Sequence, residues 1–304
     1  MSPADLPRGF TLAWCGVFGL FVGSFLNVCI YRLPKPGMSV WSPRRSHCPS
    51  CGRQLTWSEN VPLLSWLLQA GRCRGCKGPI PWRYPLVEAL TAAAWVWTAW
   101  WTPDGAWGLL ALRLIAVSGL IVATFVDLDC FEIPDEVSIG GMVLAPVASF
   151  LVPSLHASTA VAHAMGDGGE VDRISAVVAA FSGMAVGAGV LLAIGWVGKR
   201  LWGREAMGLG DVKLLAAGGG FVGPGGALFA LVAASLVASV AGMVNMVRFL
   251  LLSRARVRQR GGSKPFARSL ASARIAGRYL PFGPYLALGI GIALLHWSHV
   301  ERWL

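Results

Sequence analysis

Leu109-Leu110-Ala111-Leu112-Arg113-Leu114-Ile115-Ala116-Val117-Ser118-Gly119-Leu120-Ile121-Val122-Ala123-Thr124-Phe125-Val126 carries a single charge and runs directly into Asp127. Such a run approaches the roughly 20 residues that a helix needs to cross a ~30 Å hydrocarbon core. It lacks the period-2 alternation of a half-buried strand, so a helix is predicted. Comparable runs lie at Leu12–Ile30, Leu86–Trp101, Val137–Val152, Ile174–Val197, Val212–Val222, Ala227–Leu252 and Leu280–Trp297. A lipid-embedded backbone must satisfy its own polar groups, which helices do. The runs therefore predict an all-α polytopic membrane protein with eight crossings, of which Val212–Val222 is the shortest. Composition agrees: 55% of residues are hydrophobic and 13% charged, about half the ordinary charged share of ~25%. This excludes a disordered chain, a disulfide miniprotein and a typical cytosolic enzyme. The first run is not read as a cleavable signal, because Asp5 dilutes the basic end and no small-residue cleavage site precedes Tyr31-Arg32.

The formal charge of +11 would suggest nucleic acid in a soluble protein, but here it sorts by topology. With both termini outside, 22 of the 26 Lys and Arg residues fall in cytoplasmic segments, leaving Arg8, Arg113, Arg173 and Arg302. That bias sets the orientation and requires Val212–Leu252 to cross twice. No nucleic-acid partner is expected. The basic inner loop Ser253–Arg278 suits anionic headgroups, so membrane lipid is an expected partner. Trp95, Trp97, Trp100, Trp101 and Trp107 gather around an outer loop as interfacial aromatics do.

One large polar insertion, Leu33–Tyr84, lies on the cytoplasmic side and divides the chain into 1–104 and 105–304. It holds Cys48-Pro49-Ser50-Cys51 and, after 21 intervening residues, Cys73-Arg74-Gly75-Cys76. Two Cys-x-x-Cys knuckles supply the four thiolates of a tetrahedral zinc shell, and a reducing compartment disfavours disulfides. A module of this size needs such a staple. The alternatives are redox dithiols or plain buried cysteines, and His47 is a neighbouring surface residue. Cys15, Cys29 and Cys130 read as small apolar residues in or beside spans.

Acids near the membrane are the scarcer signal. Asp127 ends one apolar run, and Asp211 opens another within Gly208-Leu209-Gly210-Asp211-Val212-Lys213. An ionisable group at bilayer depth costs about 2.5–3.5 kcal/mol on insertion scales, so it is a functional candidate. Two carboxyls held close share a proton, and the pair can activate water as base and polarise a peptide carbonyl as acid. The glycines flanking Asp211 leave room for a substrate backbone. The alternative is that both acids reach the interface and pair with Lys213 or nearby arginines. Asp129, Glu132, Asp135 and Glu136 compete for the role: Asp135 reads as a helix N-cap, and Asp129 and Glu132 as solvated. A transporter or ion relay using these acids, and a non-catalytic assembly protein docking through its zinc module, are the other readings. The relay predicts deeper acids and broken helices repeated in both halves.

The chain resembles the bacterial type IV prepilin peptidases, the leader peptidase/N-methyltransferases. The resemblance is carried by Gly23-Ser24-Phe25-Leu26-Asn27-Val28-Cys29-Ile30-Tyr31-Arg32-Leu33-Pro34, the two Cys pairs, Asn60–Leu67, Gly71–Cys76 and Arg83–Glu88. Val126-Asp127 with Ile133-Pro134-Asp135, Gly208–Lys213 and Pro281–Gly289 continue it in order. It implies an inner-membrane enzyme that removes the basic leader of prepilins and pseudopilins on the cytoplasmic side. It further implies methylation of the new amino terminus with S-adenosylmethionine. The catalytic aspartates would be Asp127 and Asp211, and the zinc ligands Cys48, Cys51, Cys73 and Cys76. The outer loop before Ile174 is longer than the family pattern, which separates the two aspartates by 84 positions. No Gly-rich nucleotide fingerprint is present. Asn60, Arg72, Arg83 and Glu88 at the base of the insertion are candidates to meet the methyl donor or the amine, or to tie the module to the membrane.

Overall fold

The computed structural model describes residues 7–42, 45–48, 50–166, 170–203, 207–259 and 281–300. Among these the chain is helical, with isolated bridges and no extended strand. The helices are α1 (Arg8–Arg32), α2 (Leu64–Leu68), α3 (Arg83–Trp100), α4 (Trp107–Cys130), α5 (Asp135–Leu151), α6 (Ala160–Met165), α7 (Arg173–Trp202), α8 (Leu209–Gln259) and α9 (Gly283–Val300). Every apolar run of the sequence falls on one of them. Four stretches are long and apolar enough to cross a membrane: Arg8–Arg32, Trp107–Cys130, Arg173–Leu201 and Leu209–Leu252, with Gly283–Trp297 a shorter apolar helix. The chain is thus a helical membrane protein with a compact cysteine insertion between α1 and α3. The basic inner loop falls largely at 260–280, outside the described residues.

Local chemistry sets the ends of these helices. Asp172 caps α7, accepting from Ser175 N–H at 2.7 Å, and Gly203 closes it in the left-handed region at φ 66°. The long α8 breaks at Gly223, whose φ of 73° and ψ of 177° are not helical, followed by Pro224. Proline lacks the N–H that would continue the ladder, so the predicted runs Val212–Val222 and Ala227–Leu252 become two arms of one bent element. Among the described residues this is the one broken helix, so the repeated breaks of the relay reading are not seen. His156 lies beside the bend: it is fully buried, with Nε2 3.0 Å from Ser149 Oγ and Nδ1 3.3 Å from Thr159 Oγ1, the residue packed on Gly223.

Packing runs through glycine. Lipid is as apolar as leucine, so helices gain by close approach and small residues mark the contacts. In α1, Gly19 and Gly23 face α3, where an added methyl would lie 2.7 Å from the Cα of Ala92 and of Glu88 respectively. Between α7 and α8 the backbones meet directly: a methyl on Gly183 would lie 2.0 Å from Gly219 O, and one on Gly219 2.2 Å from Gly183 O. Gly289 brings α9 against Ala230 of α8 in the same way, at 2.3 Å from its carbonyl oxygen. Large side chains such as Leu192, Trp196, Val232 and Leu236 face outward, as a lipid-exposed surface requires.

Gly183→Ala is expected to destabilise the α7–α8 contact by about 1–3 kcal/mol, since neither backbone can yield without moving its helix. The check is a thermal melt in detergent, with Gly189→Ala, which has nothing within 4 Å of an added methyl, as the unchanged control.

Candidate active site and metal centre

Asp127 lies in the last turn of α4 and is only 6% exposed. The helix stops four residues later because Phe131 turns left-handed, at φ 58°, and its N–H bonds back to Asp127 O at 3.0 Å. The first N–H groups of a helix have no partner within it, and one from α9 reaches this carboxylate: Gly283 N donates to Asp127 Oδ2 at 2.9 Å. A methyl on Gly283 would lie 2.6 Å from that oxygen, so the approach needs a bare backbone. Asp211 sits in the first turn of α8, half-buried, between Gly210, which packs on Ile133, and Val212.

The two predicted aspartates meet at one cavity of about 620 Å³, walled by Leu33–Pro36, Phe131–Glu136 and Gly208–Asp211. Lys213 also lines it but bonds to Asp135 Oδ1 at 2.7 Å rather than to either aspartate. Asp135 does not serve as the N-cap expected of it. Pro134 occupies that position, and Asp135 is the first helical residue, its carboxylate turned to Lys213. Asp129 is not simply solvated either; it pairs with Arg83, whose guanidinium also lies 5.5 Å from the Phe125 ring centroid.

The cysteine module consists of two matching turns. Cys48 N–H bonds to Arg53 O and Gly52 N–H to Cys48 O; Cys73 N–H bonds to Gly78 O and Lys77 N–H to Cys73 O, all at 2.9 Å. Gly52 and Lys77, each following the second cysteine of its pair, are both left-handed, at φ 69° and 57°. The flanking bridges His47 to Gln54 and Arg72 to Pro79 complete an internal duplication that the two sequences do not reveal. The four sulfurs lie within 4.8 Å of one another, with Cys48 Sγ and Cys76 Sγ 3.9 Å apart. Tetrahedral zinc with Zn–S near 2.3 Å sets sulfurs about 3.8 Å apart, so the donor set fits a metal of that kind. Backbone N–H groups of Cys76 and Gly75 hold the Cys73 thiol down at about 6, towards the thiolate that a metal takes. His47 is not in this cluster.

Glu59 braces the module. Its carboxylate accepts from Thr56 N–H at 2.9 Å, Thr56 Oγ1 at 2.9 Å and the Arg53 guanidinium. The Thr56 N–H first, and Arg53 with it, hold this carboxyl down at about 2 against the opposing effect of burial.

A second cavity, about 420 Å³, opens between α1, α3 and the module. Asn60 and Glu88 line it, whereas Arg72 and Arg83 are not among its walls. Glu88 is buried and accepts from Leu63 N–H at 2.8 Å, tying the module to α3. Ser24, Asn27 and Tyr84 also line this cavity. Ser24 and Asn27 lie within an apolar run, where single polar residues carry no spacing signal.

Comparison with known proteins gives two matches along the chain: the bacterial peptidase A24 N-terminal domain over residues 17–102, and the type IV leader peptidase family over residues 171–243. A prepilin leader peptidase/N-methyltransferase of Aeromonas hydrophila is 36% identical over 94% of this chain and 91% of its own. The chain belongs to the type IV leader peptidase family. Another relative, a type 4 prepilin-like proteins leader peptide-processing enzyme of Escherichia coli, is 33% identical over 97% of this chain and 95% of its own. The Myxococcus xanthus leader peptidase/N-methyltransferase is 38% identical over 76% of this chain. No solved structure matches.

Two outcomes test the leader-peptidase module. Purified protein should carry about one zinc per chain, and Cys73→Ser should lose it, as read by metal analysis together with alkylation of the remaining thiols. Glu59 is held below its ordinary value of 4.5, so its stabilisation is fully present above about 4.5 and is lost as pH falls towards 2. Wild type should therefore melt above Glu59→Gln at neutral pH, and the gap should close as the buffer is taken down through that window.

Proposed function

We propose that this protein cleaves the basic leader peptide of type IV prepilins or pseudopilins at Asp127 and Asp211, and methylates the amino terminus so formed. The convergence of those two aspartates on one cavity, in a chain of this family, carries the reading. The peptidase would occupy 105–304, while 1–104, with the cysteine module at 33–84, would serve methylation. With eight crossings, α8 counted as two, the cavity and the module would lie on the cytoplasmic side of the inner membrane. The basic bias of the loops supports that sidedness.

The chemistry follows from two carboxyls sharing one proton. The ionised aspartate takes a proton from water as the water oxygen bonds to the scissile carbonyl carbon, and the protonated aspartate donates to the carbonyl oxygen. The C–N bond then breaks: the first aspartate returns its proton to the leaving amine, and the second takes back the hydroxyl proton as the carbonyl re-forms. Gly283 N–H fixes the Asp127 carboxylate, and Gly208, whose added methyl would lie 3.5 Å from Asp211 Oδ2, keeps the approach to that carboxyl free of a side chain. Asp135 is paired with Lys213 and Lys35 also lines the cavity, but Glu132 and Glu136 leave its lining acidic on balance, suited to a basic leader.

Cys48, Cys51, Cys73 and Cys76 would hold zinc as a structural staple. S-adenosylmethionine, when bound, supplies a methyl group on a cationic sulfur; the chain's part is to place a neutral amine in line with it.

Asp127→Asn and Asp211→Asn should each lower leader cleavage by about 10²-fold or more, since each removes one half of the acid–base pair. Mass spectrometry of a prepilin incubated with the membrane-embedded protein reports leader loss. Normal cleavage by both variants would overturn the assignment.

A further inference from the structure

The cavity between α1, α3 and the cysteine module touches the metal cluster through Cys48 and Cys73, but it extends beyond them to α1 and α3 and is not used by the peptidase chemistry. Its 420 Å³ lies within the about 300–1,000 Å³ range of small-ligand sites. It is lined by Tyr31, Trp66 and Tyr84, by the polar Ser24 and Asn27, and by the buried carboxylate of Glu88. Two carboxylates reach this region and they differ. Glu59 is already neutralised by Arg53, whereas the partners of Glu88 are uncharged: the Leu63 N–H and the Ser24 side chain. A buried carboxylate without a cation is costly unless a ligand brings one. Asn27 spends its amide nitrogen on Tyr84 O, at 3.1 Å, which leaves its own oxygen as an acceptor.

We propose that this cavity is the methyl-donor site, taking a cationic adenosyl sulfonium, with Glu88 facing its positive charge and the aromatic residues packing its flat ring. The proposal deepens the function above and rests on it. Aromatic faces and a carboxylate are the two groups that favour a cation in an apolar pocket.

The position of the cavity supports the assignment. Tyr31 and Arg32 line it, and the next residues, Leu33–Pro36, line the aspartate cavity, so consecutive residues at the end of α1 serve both. Arg32 pins this stretch, its Nη1 donating to Val40 O at 2.8 Å and Ser39 O at 3.3 Å. The amine freed in one cavity is therefore the nucleophile needed in the other. In the transfer the amine lone pair forms the new N–CH3 bond and the C–S bond breaks. Its electron pair stays on sulfur as a neutral thioether, and the nitrogen releases a proton to water.

The test compares the sulfonium with its neutral thioether product on full-length protein in phosphatidylethanolamine/phosphatidylglycerol nanodiscs. Equilibrium dialysis with labelled S-adenosylmethionine and S-adenosylhomocysteine gives both affinities for wild type and Glu88→Gln. The amide keeps an acceptor for Leu63 N–H and removes only charge. A loss of about tenfold or more for the sulfonium, with the thioether changed by less than about threefold, supports the site. Equal loss of both ligands, or no loss of either, overturns it. Irradiation with labelled donor should mark peptides containing Ser24–Tyr31 or Tyr84–Glu88; label confined to Asp127–Asp135 or Gly208–Lys213 also overturns it. A wild-type chain that neither binds the donor nor methylates a processed prepilin removes the methyltransferase reading itself. Methylation by wild type with label elsewhere removes this site alone.

Discussion

A carboxylate at the end of an apolar helix persists only if the fold brings a donor to it. For Asp127 that donor is the first N–H of α9, 156 residues further along the chain. The bond exists because α9 lies against α8 through Gly289 and Ala230, and α8 against α7 through Gly183 and Gly219. Each contact places backbone where an ordinary side chain would stand. The glycine-rich interfaces are thus the scaffold of the acid site: a shift of α8 would carry Asp211 with it, and a shift of α9 would take the donor from Asp127. In a bilayer no hydrophobic drive between helices compensates for a poor fit, so close packing must supply what burial supplies in water.

The N-terminal part obeys the same rule and puts it to a different use. Gly19 and Gly23 draw α1 onto α3, and Gly23 sits against the backbone of Glu88. That approach brings Ser24 and Glu88 within hydrogen-bonding reach at the floor of the second cavity. Above it, the Glu88 carboxylate holds the N–H of Leu63, a residue forced into positive φ at 58°. A non-glycine residue in that region needs its surroundings to hold it there. One acid therefore fixes a strained turn of the module and presents charge to a cavity. It is both tie and candidate ligand, and the two readings made of it from sequence were not exclusive.

Much of this was legible in the sequence because the solvent is lipid. Long apolar runs, a one-sided basic bias and paired cysteines are each tied to one physical cause, and the structure has a helix on every run and a four-sulfur cluster at the pairs. Asp127 and Asp211 stood out for the same reason: an acid beside an apolar run needs explaining. What spacing could not give was partnership. Lys213 stands two residues from Asp211, yet its charge goes to Asp135, because the turn that starts α8 faces the turn that starts α5. Arg83 was weighed for the methyl donor, yet it reaches Asp129 and Phe125 across the α3–α4 interface. The duplicated turns of the cysteine module were hidden because the repeat lies in backbone conformation: glycine and lysine occupy the same left-handed position.

The arrangement of the two cavities bears on why the module is stapled at all. About fifty residues cannot build a core large enough to hold their shape by burial alone. Two matching knuckles with four sulfurs placed to hold one metal, and Glu59 bonded to Arg53 and Thr56, tie the module together. The module joins the membrane helices where Leu63 bonds to Glu88 and at the turn after Arg32. Residues around that turn line both cavities, Tyr31 and Arg32 the one beside Glu88 and Leu33–Pro36 the one with the aspartates, so a module held in shape also positions the chain that the two cavities share. A water-activating acid pair and a site for an electrophilic methyl group have opposite needs. The first requires water, and the second works best without it. If the second cavity takes the methyl donor as proposed, consecutive residues at the end of α1 would serve both needs.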